Sequence, residues 1–168
     1  MKKTVTCGVL SVPIEALPYK YNESADRVRE LKQKLLDIFV QTAKDRELSV
    51  ISGGDIGFSL WSLEIALAAG LLGYPVKPRP IGLRDEYTEF WAESWRNRYD
   101  RIKDSTLSTI DLFQECPGAI NSREDFFTTA DKFIVDNSDK LIIITAGDIL
   151  PAETEYAKKS GKPVTYLT

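Results

Sequence analysis

Apolar residues in this chain fall in short continuous runs separated by longer amphipathic stretches. Runs at residues 4–10, 48–51, 77–83, 107–113, 140–145 and 163–167 read as strands, and 48–51, rich in β-branched residues, carries the signature of one buried on both faces of a parallel sheet. Between them the apolar period changes to that of a helix. Val28, Leu31, Leu35, Leu36, Phe39 and Ala43 recur at helical spacing behind Ser24, a predicted N-cap, with Asp26 in the first turn. From Arg84 a single predicted helix carries Tyr87, Trp91, Trp95, Tyr99 and Ile102 as a stripe, with Phe90 beside it. Residues 123–137 form another helix, and Pro151 opens the last, which Gly161 ends. Pro78 and Pro80 put the third strand near an edge. Alternating strands and helices, joined by right-handed crossovers, predict a doubly wound, mostly parallel sheet with helices on both faces.

One segment organises this pattern. The run Leu48-Ser49-Val50-Ile51 leads into Ser52-Gly53-Gly54-Asp55-Ile56-Gly57, and the helix that follows has no polar residue before Gly70 except Ser59, Ser62 and Glu64. Glycines permit positive φ and close backbone approach, while the first helical turn leaves N–H groups free, so the turn is a candidate anion site. The same glycines equally suit tight packing of strand on helix. Neither the Gly-x-Gly-x-x-Gly dinucleotide fingerprint nor a Gly-Lys-Ser/Thr phosphate loop is present. Open sheets of this kind bind ligands beyond the carboxyl ends of their strands. That edge gathers Ser11, the turn residues Gly53, Gly54, Asp55, Gly57, Phe58 and Ser59, the loop after Phe113, and Gly147 with Asp148. The aromatic stripe either packs wholly on the sheet or sends Trp91 or Trp95 to this edge to stack on a base.

Composition narrows the chemistry. At 168 residues the chain reads as one domain that buries about two-thirds of its unfolded surface. With 22 Lys and Arg against 25 Asp and Glu, the net charge of −3 offers no bulk field for nucleic acid or an anionic membrane. There is no histidine, which removes Ser-His-Asp and Cys-His catalysis and the usual imidazole metal sites. Cys7 and Cys116 are too few and too far apart for a disulfide framework or a zinc site and read as buried or incidental thiols. No cofactor and no metal is called for. Residues 56–74 are apolar enough to raise a membrane helix, but Glu64 and the flanking glycines favour a core helix. The start Met1-Lys2-Lys3-Thr4 runs into a strand without a signal-peptide pattern, so a cytoplasmic location is expected.

Three stretches in order along the chain, Ile51 to Trp61, Phe133 to Ile143 and Tyr156 to Val164, resemble the YpsA-like branch of the SLOG superfamily. That superfamily also holds DNA-processing protein A and the Lonely-guy phosphoribohydrolases. The resemblance implies a three-layer Rossmann-like fold, a nucleotide or nucleotide-derived ligand on the Gly-Gly turn, and a homo-oligomer. Family members range from cytokinin-releasing hydrolases to sensors of ADP-ribose-type signals. Where the family carries an aspartate after the turn, this chain has Ser59. Where it carries an Arg-Asn pair, the chain has Ala130 and Asp131, leaving Arg123 or Lys132 to pair with a phosphate. Of the hydrolase motif before the last helix, Gly147 and Glu153 match. The implied chemistry, if any, is N-glycosidic cleavage of a nucleoside 5'-monophosphate, with Glu153 as the candidate catalytic carboxylate and Asp55 as acceptor for a ribose hydroxyl. These departures make sensing or sequestering such a ligand the first expectation and turnover the second. The acidic balance speaks against DNA binding. Glu64, alone in an apolar helix, reads as a half-buried snorkelling acid.

Overall fold

The computed structural model describes residues 3–168; Met1 and Lys2, the start of the predicted lead-in to the first strand, lie outside the described residues. Five parallel strands form one sheet: β1 (Thr4–Ser11), β2 (Glu47–Ser52), β3 (Val76–Pro80), β4 (Lys140–Ile144) and β5 (Val164–Leu167), in the order β3-β2-β1-β4-β5. Helices α1 (Asp26–Thr42), α2 (Phe58–Leu71), α3 (Asp85–Thr88), α4 (Glu93–Asp104), α5 (Leu112–Glu115), α6 (Arg123–Asp136) and α7 (Thr154–Lys159) complete the chain, with a single 3-10 turn at Ile14–Ala16. This is a three-layer Rossmann-like α/β fold, as the strand and helix pattern predicts. The chain winds outward from β1 through β2 to β3, then returns across β1 to β4. That reversal creates a switch point beside β1, where loops diverge at the carboxyl edge.

Alternation along the strands divides the core into two. Val5, Cys7 and Val9 of β1 join Val50, Ile142 and Ile144 under α1, whose Val28, Leu31, Leu35 and Phe39 are buried at the predicted helical spacing. Leu10, Ile51, Leu141 and Ile143 point the other way, against Ile102 of α4 and Phe126, Ala130 and Ile134 of α6. Helix α2 feeds both cores, with Trp61 and Ala66 in one and Leu60 and Leu63 in the other, which explains its lack of a polar face. No helix among the described residues is long and apolar enough to cross a membrane. Gly8, in the middle of β1, lets α6 settle on the sheet: a Cβ there would lie 2.7 Å from Ile134 Cγ2.

Two predicted elements differ. Residues 107–113 form no strand: Ile110 makes one parallel bridge to Ile81, and α5 follows at once. Local hydrogen bonds win there over a ladder. Thr106 Oγ1 accepts from the Ser108 N–H at 3.0 Å, and Asp111 caps α5 by accepting from the Phe113 N–H at 3.0 Å. The single helix expected from Arg84 to Ile102 is two, α3 and α4, because Ala92 is extended (ψ 146°). The Trp91 N–H bonds the Thr88 carbonyl at 3.0 Å, so the chain turns at Phe90-Trp91 before Glu93 restarts the helix. Smaller corrections fall at helix starts. Ala25, not Ser24, precedes α1, and α7 begins at Thr154 rather than Pro151, with Glu153 as its N-cap residue.

Candidate functional site

The turn after β2 is shaped by two glycines with different neighbours. Gly54 (φ +80°) faces the Tyr99 ring, where a Cβ would lie 2.8 Å from Cε2. Gly57 (φ +113°) precedes α2 and backs onto Ile14, whose Cβ is 3.3 Å from where a glycine Cβ would stand. Both positions need glycine for conformation and for space. Tyr99 holds this arrangement from outside, since its hydroxyl donates to the Ile81 carbonyl (2.8 Å) and accepts from the Leu83 N–H (2.7 Å). Ser52 Oγ donates to the Ser59 carbonyl at 2.9 Å and Ser62 Oγ to that of Phe58 at 2.5 Å, so these hydroxyls are spent on the fold.

Beside the turn opens a cleft of about 640 Å³ at the carboxyl ends of β1 and β2. One wall is aromatic: Tyr87, Phe90, Trp91, Trp95, Phe126 and Phe127 all line it. Phe126 and Phe127 come from α6, the other four from the segment around the break between α3 and α4, where Phe90 is 87% exposed. The carboxyls of Glu15, Asp55 and Asp131 line the same cleft, with Ser11, Gly53 and Ser59. Arg123 is the lining cation; it sits 5.6 Å from the Phe127 ring and forms no ion pair among the described residues.

These carboxyls do not behave as free acids. Burial in the cleft wall, reinforced by the charges of Asp55 and Glu153, pushes the Asp131 carboxyl up to about 8. The Asp55 carboxyl is also raised, chiefly by burial and further by Glu15, although the Ser59 hydroxyl and its own backbone N–H hydrogen-bond it and oppose the rise. No ion pair reaches Asp55, Asp131 or Glu153 among the described residues. Arranged this way, the cleft can stack a planar ring, accept hydrogen bonds from hydroxyls and hold one carboxylic proton near neutral pH.

Of the residues singled out in the sequence, Ser11, Gly53, Asp55 and Ser59 line the cleft together. Gly54 and Gly57 lie behind it in the packing, and Phe58 is fully buried, edge-on to Trp61 at 4.9 Å. Gly147 and Asp148 form an exposed tight turn closed by the Ala146–Ile149 bridge and do not line the cleft. Glu153 does not line the cleft and bears on it through its charge on Asp131. Both aromatic candidates, Trp91 and Trp95, reach the cleft. Glu64 is half-buried and paired: it holds Arg98 at 2.6 Å, and Arg98 also bonds Glu23 at 3.0 Å while its guanidinium lies 4.6 Å from the Trp95 ring. Sequence reasoning reached Asp131 only as the place of a family motif and did not reach Glu15. No protein-family model matches the chain, and no curated protein matches it in sequence.

Proposed function

We propose that this cleft binds a nucleotide-derived ligand, as a sensor or sequestering module. What supports the reading is one juxtaposition: aromatic rings together with carboxyl and hydroxyl acceptors line a single cleft of about 640 Å³ at the switch-point edge of the sheet. That volume suits a small ligand. The base stacks on Trp91 or Trp95, the ribose hydroxyls donate to Asp55, and a phosphate meets Arg123 at the rim. A thermal-shift panel of nucleoside monophosphates and ADP-ribose tests this. A ligand at about 100 times its Kd stabilises by about 2.7 kcal/mol, a rise of several degrees for a chain of this size. No shift with any member overturns the reading.

One observation favours a second reading, N-glycosidic hydrolysis. Asp131 keeps a proton near neutral pH beside Asp55 and Glu153, the pairing of acid and carboxylate that such cleavage uses. The C–N glycosidic bond breaks as the departing base takes the Asp131 proton, and water bonds to the anomeric carbon while giving one proton to the Asp55 carboxylate. Release of free base by the native protein, lost in Asp131→Asn or Glu153→Gln, supports turnover; binding without release refutes it. The oligomer implied by the family resemblance would draw on apolar surface such as Leu71 and Leu72 at the end of α2, which are 80% and 70% exposed. Light scattering of the native protein and a Leu71→Glu variant tests that.

A further inference from the structure

We propose that the cleft selects nucleosides whose base carries a positive charge, the cationic ring lying on Trp91 and facing the carboxyl groups of Glu15, Asp55 and Asp131. This rests on the nucleotide reading above and names the ligand class within it.

Three observations carry it. First, two partly buried acids elsewhere are neutralised by cations, while those of the cleft are not. Glu23 and Glu64, each about a quarter exposed, share Arg98, and Glu23 takes Lys32 at 2.7 Å as well. Asp55 and Asp131 have no such cation, and the Asp131 side chain makes no hydrogen bond among the described residues. Second, neighbouring rings already carry cations, with Arg98 at 4.6 Å from Trp95, Lys32 at 4.8 Å from Trp61 and Arg84 at 3.5 Å from Phe113. Trp91, which lines the cleft and meets the Tyr99 ring edge-on at 6.1 Å, carries none. An indole face is the strongest aromatic acceptor for a cation. Third, among the described residues no three acidic or thiol side chains stand close enough together to hold a metal ion. Acids spread along a wall complement a charge delocalised over a ring better than a compact ion.

Protonation fits the same picture. Burial favours the protonated form of Asp131 and Asp55, with the charges of Asp55 and Glu153 adding to the rise at Asp131 and that of Glu15 to the rise at Asp55, and a cation beside them opposes it. Arg123 remains at the rim for a phosphate, so a cationic nucleotide matches both ends.

The test uses positional isomers of one methylated nucleoside, one cationic and one neutral. Affinities of the native protein at mildly acidic pH, where both ring-methylated members are cationic, are measured calorimetrically for 1-methyladenosine against neutral N6-methyladenosine, and for 7-methylguanosine against neutral 1-methylguanosine. The expected preference for the cationic member of at least one pair is about tenfold or more. It falls toward unity in Asp55→Asn/Asp131→Asn and shrinks in Trp91→Leu, with circular dichroism checking that each variant is folded. Equal or tighter binding of the neutral isomers by the native protein overturns the charge preference and leaves the nucleotide reading standing. So does failure of all four nucleosides where a member of the monophosphate panel binds. Failure of every ligand in both sets overturns the nucleotide reading and this proposal with it. A preference that survives the double substitution overturns the assignment to these carboxyls.

Discussion

Replacing Asp131 by Asn should stabilise the protein, and by more at high pH than at low. The Asp131 carboxyl titrates at about 8 in the folded chain against an ordinary value of 3.8. Across that window the unfolded chain has released the proton and the folded chain has kept it. Since the unfolded state then binds fewer protons, stability falls as pH rises. The penalty is absent below about pH 4 and complete above about pH 8. At about 1.4 kcal/mol for each pH unit, three units to pH 7 set an upper limit of about 4 kcal/mol. Asp55 and Glu153 share the repulsion, and the cleft admits water, so about 1–3 kcal/mol is the expected relief at pH 8. Asparagine has nearly the same shape and no proton to lose. Urea denaturation of both proteins at about pH 5 and about pH 8 reads the difference, with equal m-values as the control for two-state behaviour. A stability gap that is the same at both pH values, or an Asn variant less stable at pH 8, refutes the claim that an uncompensated acid sits in this wall.

Other consequences concern the frame around the cleft. Tyr99→Phe strands the Leu83 N–H and the Ile81 carbonyl, both bonded by the buried hydroxyl, and should cost about 1–3 kcal/mol in urea denaturation. Burial works against ionisation of Glu23, but the hydrogen bonds from Arg98 and Lys32 prevail and hold its carboxyl below the ordinary range. Its contribution is therefore present above about pH 4.5 and lost as pH falls further, so Glu23→Gln should cost about 1 kcal/mol near neutrality and little at about pH 3. Gly8→Ala drives a methyl into Ile134 and should destabilise by about 1–3 kcal/mol. Burial pushes the Cys7 thiol up to about 12, while Cys116 is partly exposed; a thiol reagent should titrate Cys116 alone in the native protein and both thiols in denaturant.

Much of the fold follows from periodicity because each central strand is buried on two faces and α1 and α6 chiefly on one. Val28 to Phe39 at helical spacing, or the run Lys140–Ile144, admit few other readings. The failures lie where local polar chemistry competes with that signal. Residues 107–113 hold enough apolar residues for a strand, yet Leu107 is fully exposed and the side chains of Thr106 and Asp111 take the backbone N–H groups instead. Between Arg84 and Ile102 the aromatic spacing persists through the break. The rings of Trp91 and Tyr99 still meet at 6.1 Å, so spacing alone conceals that the backbone between them is extended at Ala92.

The site was harder to read for a different reason. Asp55 stands in a glycine turn and is conspicuous, whereas Asp131 looks like any polar position on an amphipathic helix, next to the buried Ala130. Nothing local says that this face of α6 meets a cleft rather than water. Only the return of the chain from β3 across β1 to β4 sets α6 and the start of α7 beside the turn that follows β2. The consequence of that convergence is energetic. Carboxyls that repel one another and lack cations weaken the fold, and under the binding proposed above a cationic ligand would offset that weakness. The relief measured with Asp131→Asn and the preference for a cationic base therefore share one origin. A variant protein that gains stability at pH 8 should lose cation selectivity by the same substitution, and either effect without the other would separate the carboxyls from the ligand.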